Sequence, residues 1–212
     1  AYVQHGENSM GFDMFEKMHL HGVFPNKVTL LSIVDACIAS MEKAKHIHKY
    51  VILGGFDADI FVSTALISMY GKLSSPENAL CSFAKMPERT IVSWNAMITV
   101  CAEHGLIEEA FLFFCQIREK GMVLDKVSYV NIVNALANRE DPIESKQMHH
   151  LIMEEGFECV VDVETALIHM YGRCSCLDDA RAIFNGMIER TSVTWNYMIR
   201  VYTCHGEDVP AK

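Results

Sequence analysis

The chain has 212 residues, half of them apolar, and a formal net charge of −9 at pH 7. The apolar content argues against disorder, and no apolar run approaches the roughly 18 residues of a membrane-spanning helix, so we expect no membrane partner. The acidic balance argues against a general polyanion binder, because phosphate contacts need Lys and Arg, but it leaves room for a groove that is locally basic or neutral.

Segments of this chain recur at a distance of about one hundred residues. The recurring segments are KVT at 27–29 and KVS at 126–128, TALISMYGK at 64–72 and TALIHMYGR at 165–173, and IVSWNAMI at 91–98 and SVTWNYMI at 192–199. Self-similarity at a fixed period is typical of stacked supersecondary units rather than of one globular core. Such solenoids usually bind an extended partner along a concave face.

The apolar residues follow a helical period and predict pairs of amphipathic helices joined by short turns. In residues 91–125, a first helix (helix A) is expected from Val92 to Glu103 and a second (helix B) from Leu106 to Glu119. Gly121 is expected to end helix B as a C-terminal glycine does. The apolar stripes are Trp94, Met97, Ile98 and Cys101 in helix A, and Ala110, Phe113, Phe114 and Ile117 in helix B. Strand signals are weak, and the pattern predicts an all-α solenoid.

Alignment on the turn and cap residues divides the chain into seven units of unequal length. The units are 1–26, 27–59, 60–90, 91–125, 126–160, 161–191 and 192–212, the first and last being partial. The complete units have 33, 31, 35, 35 and 31 residues. A uniform array is therefore excluded.

This pattern resembles the pentatricopeptide repeat (PPR) family, in particular its plant PLS subclass, in which P, long (L) and short (S) repeats alternate. VSWNAMI at 92–98 looks like a P repeat, KQMH at 146–149 like an L repeat, and MYGRC at 170–174 like an S repeat. The resemblance implies a right-handed superhelical solenoid of helix-turn-helix repeats. It assigns 27–59 and 126–160 as L, 60–90 and 161–191 as S, 91–125 as P, and 1–26 and 192–212 as partial P.

Helices A of such a stack line the inner surface, so equivalent positions recur along one groove. Single-stranded RNA suits this spacing, because its splayed bases can each contact one repeat. The fifth position is apolar in L units, Thr in S units and Asn in P units: Leu31, Thr64, Asn95, Val130, Thr165 and Asn196. Asn offers a donor and an acceptor, and Thr one hydroxyl. A helix cap or first-turn hydrogen bond is the alternative, but the ordered series favours a ligand.

In the family, the fifth and last residues of each repeat together choose the base. The last residues here are Asn26, Asp59, Thr90, Asp125, Val160 and Thr191. The resemblance implies that Asn95 with Asp125 prefers uracil and that the Leu31 and Val130 units discriminate little. Both S units end in Thr where the family usually has Asp or Asn. The resemblance implies that Thr64 with Thr90 and Thr165 with Thr191 lean to purines, and the missing Asp or Asn leaves adenine and guanine undistinguished.

Second-position side chains sandwich the bases in this family, and cations near the end of helix A could meet phosphates. The second-position residues are Val28, Phe61, Val92, Val127 and Val193. Asp162 replaces them in the unit 161–191, and we expect it to weaken that unit. Lys72 and Arg173 are the candidate phosphate contacts, with a solvated helix C-terminus as the equal alternative. The cluster Lys43, Lys45, His46, His48 and Lys49 is interpreted as the polar face of a helix B.

Enzyme and metal signals are weak. His5-Gly6-Glu7 and His205-Gly206-Glu207 match the H-x-E half of a zinc-deaminase signature, but no P-C-x-x-C follows either. Cys174 and Cys176 could suggest zinc with Cys204 and His205, but Cys174 already belongs to the S-repeat motif. No phosphate-binding loop, dinucleotide fingerprint or nucleophile elbow is present. We therefore expect no enzyme activity, no metal and no cofactor.

The eight cysteines, at 37, 81, 101, 115, 159, 174, 176 and 204, lie mostly in apolar helical stretches without a CxxC pair. We predict buried free thiols in a reducing compartment. The chain starts without Met and in what looks like the middle of a repeat, so we interpret it as a fragment whose missing targeting segment says nothing about location.

The leading hypothesis is a sequence-selective single-stranded RNA-binding protein of a mitochondrion or chloroplast. By resemblance, it is expected to recognise sites for C-to-U RNA editing or other transcript processing, with editing-complex proteins or a deaminase in trans as further partners. The alternative is a helical protein-interaction scaffold in an organellar RNA-processing complex. The acidic charge and the apolar inner residues of the L units would suit that role.

Overall fold

The computed structural model describes residues 8–205, and every regular element in that range is helical. The α-helices are α1 (Asn8–Leu20), α2 (Lys27–Val34), α3 (Met41–Leu53), α4 (Ile60–Lys72), α5 (Pro76–Lys85), α6 (Ile91–Glu103), α7 (Ile107–Glu119), α8 (Lys126–Ala137), α9 (Pro142–Glu154), α10 (Val161–Arg173), α11 (Leu177–Gly186) and α12 (Ser192–His205). Short 3₁₀ turns cover Asp35–Cys37 and Phe56–Ala58. The prediction of an all-α fold built from helix-turn-helix repeats is confirmed.

The chain divides into two compact units, Ala1–Val100 and Cys101–Lys212, with the boundary inside α6. In the first unit, α2 packs on α4, and α4 packs on α5. In the second unit, α10 lies between α8 and α12 and also packs on α11. Alternate helices of each unit, the predicted helices A, are therefore direct neighbours. Among residues 8–205, no helix is both long enough and apolar enough to cross a bilayer.

The helix pair of residues 91–125 matches its prediction closely. Helix α6 begins one residue before the expected start, and α7 one residue after. The stripe that was predicted for α6 is buried, as are most of the residues predicted for α7. Gly121 has a φ of +64°, and Met122 N donates to Ile117 O just beyond the helix end. This left-handed closing turn is the one that glycine favours after a helix.

An arginine stabilises the end of helix B in both S units. Arg89 Nε donates to Phe83 O at 3.2 Å, Arg89 Nη2 donates to the next carbonyl at 3.0 Å, and the guanidinium lies over the Phe83 ring. Arg190 makes the same contacts with Phe184 and Asn185. These bonds satisfy carbonyls that a helix C-terminus leaves unpaired. They give a physical reason for the arginine of the Glu-Arg-Thr segment, which occurs at both 88–90 and 189–191.

A histidine of each L unit is joined to a tyrosine of the following S unit. His48 Nδ1 lies 2.8 Å from Tyr70 Oη, and His149 Nδ1 lies 3.0 Å from Tyr171 Oη. Both tyrosines are almost fully buried. The recurring histidine and tyrosine of the two motifs therefore make one inter-repeat contact, present in each copy.

Acidification is expected to destabilise the fold through these histidines. Burial lowers the pKa of His48 and of His149 below the usual 6.5, with Lys85 adding to the effect at His48 and Asp179 opposing it at His149. The unfolded chain therefore binds more protons than the native state as the pH falls through about 6.5, and the free energy of unfolding falls with it. Urea unfolding followed by circular dichroism at pH 7.5 and 5.5 measures the loss. The double variant His48→Gln/His149→Gln should lose less stability over that interval, and an equal loss would contradict the assignment.

The prediction that the cysteines are buried is only partly right. All eight are free thiols, but Cys81, Cys159 and Cys204 are exposed. Cys159 lies in the loop before α10, and Cys81 lies on the exposed side of α5. Among the buried thiols, burial raises the pKa of Cys101 to about 12. Such a thiol packs as a small apolar side chain rather than reacting.

Candidate nucleic-acid interface

The second-position side chains are exposed in every unit where they are apolar. Their exposed fractions are 70% for Val28, 67% for Phe61, 61% for Val92, 45% for Val127 and 52% for Val193. Single exposed apolar residues are common on protein surfaces. Five at one equivalent position of five helices A form a pattern that packing within the described chain does not require. This pattern is the main sign of a ligand surface.

In the second unit, three helices A enclose a pocket of about 440 Å³. Five of the predicted site residues line it: Val127, Val130, Thr165, Thr191 and Val193. The structure thus brings together second, fifth and last positions from α8, α10 and the start of α12. The pocket is open to one side, and most of its exposed lining is apolar.

Some lining residues were missed in the sequence. Lys126, Asn134 and Tyr197 also face the pocket. Asn134 lies seven residues after Val127, which is two helical turns along the same face. The helical period, applied to the second and fifth positions that the resemblance indicates, therefore also indicates the ninth. Lys126 precedes the second position, and the only sign of it in the sequence is the recurrence of Lys27 as Lys126.

The fifth-position side chains differ in what they can offer. Thr64 Oγ1 donates to Ile60 O at 2.7 Å, and Thr165 Oγ1 donates to Val161 O at 2.6 Å. Since each hydroxyl proton is used within its own helix, the oxygen is left as an acceptor. Asn95 is buried, with 6% of its surface exposed, whereas Asn196 is exposed. Leu31 and Val130 are half-buried and have no polar atom to present.

The last-position side chains mostly cap the next helix A. Asn26 Oδ1 accepts from Thr29 N, and Asp125 Oδ1 accepts from both the amide and the hydroxyl of Ser128. The capping alternative, which the sequence suggested for the fifth position, thus applies to the last one. Such caps contribute about 0.5–2 kcal/mol of stability.

Among the remaining last positions, some side chains cap the next helix and others do not. Asp59 caps α4 through Phe61 N and Val62 N. At Thr90 the backbone carbonyl, rather than the side chain, accepts from Ser93 Oγ. Val160 precedes α10 without any side-chain cap. The two S units therefore begin differently, one with a capping carboxylate and one without.

Thr165 and Thr191 are joined through a buried third threonine. Thr194 N donates to Thr191 Oγ1 at 3.2 Å, which caps α12. Thr194 Oγ1 lies 3.0 Å from Thr191 Oγ1 and 3.1 Å from Thr165 Oγ1. The fifth and last residues of this S unit therefore form one hydroxyl network. The predicted pairing of these two positions has a physical link here.

A lysine at the start of each L unit reaches into the next S unit. Lys27 Nζ lies 2.8 Å from Asp59 Oδ2 and 4.1 Å from the centre of the Phe61 ring. Burial alone would raise the pKa of Asp59, but bonds from Lys27 and from two backbone amides outweigh it and hold the pKa low. Lys126 Nζ instead lies 2.7 Å from Asp162 Oδ2. Asp162, which the sequence indicated as a lost clamp, is thus one half of an ion pair.

The two candidate phosphate contacts are not equivalent in the structure. Lys72 lies exposed at the end of α4. Arg173, at the end of α10, has its guanidinium against the carboxylate of Glu140. A phosphate would have to compete with that carboxylate. Both lie where the helix dipole favours a cation, so the structural alternative stays equally open.

The Lys43–Lys49 cluster is only partly a solvated face, which corrects the interpretation of the sequence. Lys45 and Lys49 are exposed on α3. Lys43 Nζ lies 4.7 Å from the Phe12 ring centre, and His48 contacts a neighbouring helix as described above. Packing of α1 and α4 against α3 accounts for the difference.

The weak enzyme and metal signals gain no support. Within residues 8–205, no group of three or more His, Cys, Asp or Glu side chains could hold a metal ion. Cys174 Sγ lies 3.2 Å from Ser145 Oγ in the interior, so it serves a contact between helices. His5-Gly6-Glu7 lies outside the described residues, as do Gly206 and Glu207.

The paired helices and the exposed row of second positions define a helical-repeat protein. Comparison with known families identifies the repeat. A model described as the PPR repeat family matches residues 89–138, and a PPR repeat model matches residues 1–23, 61–91, 165–191 and 193–208. The chain belongs to the pentatricopeptide repeat family.

Relatives from Arabidopsis thaliana match along nearly the whole chain. The pentatricopeptide repeat-containing protein At1g11290, chloroplastic, is 36% identical over 208 residues, which cover 97% of this chain and 26% of the relative. The putative mitochondrial protein At3g13770 is 32% identical, over 97% of this chain and 33% of its own. The protein CRR2, chloroplastic, is 32% identical, over 95% and 32%. The chain thus spans about a quarter to a third of these relatives.

Solved structures share the fold. The pentatricopeptide repeat protein PPR10, in complex with an 18-nt psaJ RNA element, superposes with a TM-score of 0.78 at 19% identity, covering 91% of this chain and 30% of that one. PPR10 from maize gives a TM-score of 0.56 at 17% identity, covering 95% and 35%. At these identities the likeness concerns the fold alone.

Proposed function

We propose that this chain binds single-stranded RNA of an organelle in a sequence-selective manner, one nucleotide per repeat. The observation that carries the proposal is that the second-position side chain is apolar and exposed in five of the helices A, three in the first compact unit and two in the second. Bases splayed from a single strand can stack on such side chains, and one polar position three residues further on can contact each base edge. The RNA in the PPR10 complex and the chloroplastic and mitochondrial relatives support the same proposal.

The proposed biological role is site recognition in C-to-U RNA editing or other transcript processing. The unequal unit lengths and the twice repeated P-L-S order support assignment to the PLS subclass. Editing-complex proteins, or a deaminase acting in trans, would then be partners. The competing role, a protein-interaction scaffold, predicts no base preference and a weak dependence of binding on salt.

The contacts refine the base preferences that we propose. Thr64 offers an acceptor, so it suits a base that presents an exocyclic amino group. Asn95 with Asp125 is proposed to select uracil. Asp125 also caps α8, so its substitution by Ala would change folding as well as recognition. Asp125→Ser keeps a capping oxygen and is the better test.

Selection of bound sequences from a random RNA pool tests the proposal. We expect a recovered motif with a pyrimidine opposite residues 91–125, two units before a purine opposite residues 161–191. Binding should weaken steeply with added salt, because phosphate contacts release counterions. A flat pool and salt-independent binding would overturn the proposal and favour the scaffold.

The variant Asn95→Ala/Asp125→Ser is expected to lose preference at one nucleotide while keeping its fold. The matched control is Asn185→Ala, on the outer helix α11, where the same change should leave the recovered motif intact. Fluorescence anisotropy with the four single-base variants of the motif measures the preference. Unchanged discrimination at that nucleotide would contradict the assignment of Asn95 and Asp125.

A further inference from the structure

The L units have no polar fifth residue, yet each sends a cation into the base site of the next unit. Lys27 and Lys126 are equivalent first residues of L units. The Lys27 ammonium lies 2.8 Å from Asp59, the last residue of its own unit, and the Lys126 ammonium lies 2.7 Å from Asp162 of the following S unit. In both copies, the first lysine of the L unit therefore pairs with a carboxylate, but the two carboxylates occupy different positions in the sequence.

The carboxylate has shifted by two residues between the copies. In the first copy it is Asp59, the last residue of the L unit, which caps α4 and leaves Phe61 at the second position of the S unit. In the second copy, the last residue of the L unit is Val160, which has no side-chain cap, and Asp162 takes the second position of the S unit. The acidic and the apolar side chain of these two positions are thus interchanged between the copies. The lysine follows the acid, so its position relative to the base site changes.

We propose that Lys27 and Lys126 are positioning residues that set the base site of the S unit that follows them. Lys27, held by Asp59, lies over one face of the Phe61 ring and orients that ring for stacking on a base. Lys126 pairs with Asp162 at the edge of the pocket and leaves the second S unit without a stacking surface. This inference rests on the proposed RNA-binding function.

The geometry explains why the two arrangements act oppositely. A cation over one face of an aromatic ring restrains the ring and leaves the other face open. The Phe61 side chain is two-thirds exposed, so a base can reach it. At the second site, a base would have to displace the Lys126–Asp162 ion pair, which offers no ring for stacking. The L units thus contribute to recognition through their neighbours.

Restoring the first arrangement in the second copy tests the proposal. The variant Val160→Asp/Asp162→Phe should bind oligo(U) or oligo(A) about tenfold more tightly than the parent chain, as expected for one added base–aromatic stack. Adding Lys126→Met should remove most of that gain. In the parent chain, the same Lys126→Met change should reduce affinity no more than Lys146→Met, which removes a cation from the outer helix α9. Circular dichroism confirms that each variant is folded.

The first copy supplies the reciprocal test. In the parent chain, Lys27→Met should weaken oligonucleotide binding. In a chain that already carries Phe61→Ala, Lys27→Met should weaken binding no more than Lys146→Met does. Asp162→Asn and Asp178→Asn change the charge equally without adding a ring, and they separate charge from stacking. If affinity follows net charge alone in both copies, the positioning role is wrong. If the parent chain binds neither oligonucleotide nor pool RNA, the proposed function fails instead.

Discussion

Gly71→Ala is expected to destabilise the first unit, although alanine is the better helix former. Gly71 is buried near the end of α4, and a Cβ built on it would lie 2.6 Å from Val100 Cγ2. Val100 is 3% exposed and β-branched, so it has little freedom to move aside. Overpacking of this kind costs about 1–3 kcal/mol, against a gain of about 1 kcal/mol from helix propensity. We expect a net loss of up to about 2 kcal/mol in the free energy of unfolding, measured by urea denaturation.

The chain contains both a duplicate and a control for this test. Gly172 meets Val201 in the same way, so Gly172→Ala should destabilise the second unit. Gly186, the last residue of α11, has nothing within 4 Å of its built Cβ, and Gly186→Ala should be neutral or stabilising. The double variant Gly71→Ala/Val100→Ala should recover part of the loss. If Gly71→Ala and Gly186→Ala behaved alike, close helix packing would not explain the glycine.

Helical period and motif position predicted much of this fold. The stripe from Trp94 to Cys101 follows one face of a helix, and the burial of that face needs only local spacing to be foreseen. The sequence shows that a glycine recurs at 71 and 172, but it does not show why a glycine is needed there. The close approach of Val100 and Val201 depends on how neighbouring helices pack, which lies beyond any local pattern.

The candidate site was predictable to a similar extent. Second and fifth positions lie three residues apart on one helix, so their common surface follows from the period. The contact between Lys126 and Asp162 joins residues 36 apart, and no local pattern encodes it. The sequence suggested a cap only as the alternative for the fifth position, whereas the last-position residue Asp125 is the one that caps α8, because a residue before a helix and one inside it look equally polar in sequence. The contacts between repeats, unlike the helical faces within them, could therefore not be predicted from the sequence.

Phe61→Ala is expected to separate binding from stability. The side chain is 67% exposed, so its removal should change the free energy of unfolding by no more than about 0.5 kcal/mol. If Phe61 stacks on a base, as the proposed function requires, the affinity for pool RNA should fall about tenfold or more, because one such stack contributes roughly 1–3 kcal/mol. Anisotropy titration and urea denaturation of the same preparation measure both quantities.

The matched control is Phe24→Ala. Phe24 is 80% exposed but lies in the turn before α2, away from the second positions. Its loss should leave RNA affinity unchanged, whereas Phe61→Tyr, which keeps a ring, should retain most of the affinity of the parent chain. Because both phenylalanines are exposed, a general loss of apolar surface predicts the same result for both. If the second positions bind RNA, only Phe61→Ala should lower the RNA affinity. Equal effects of the two substitutions on RNA affinity would remove the main support for the second positions as the RNA-binding surface.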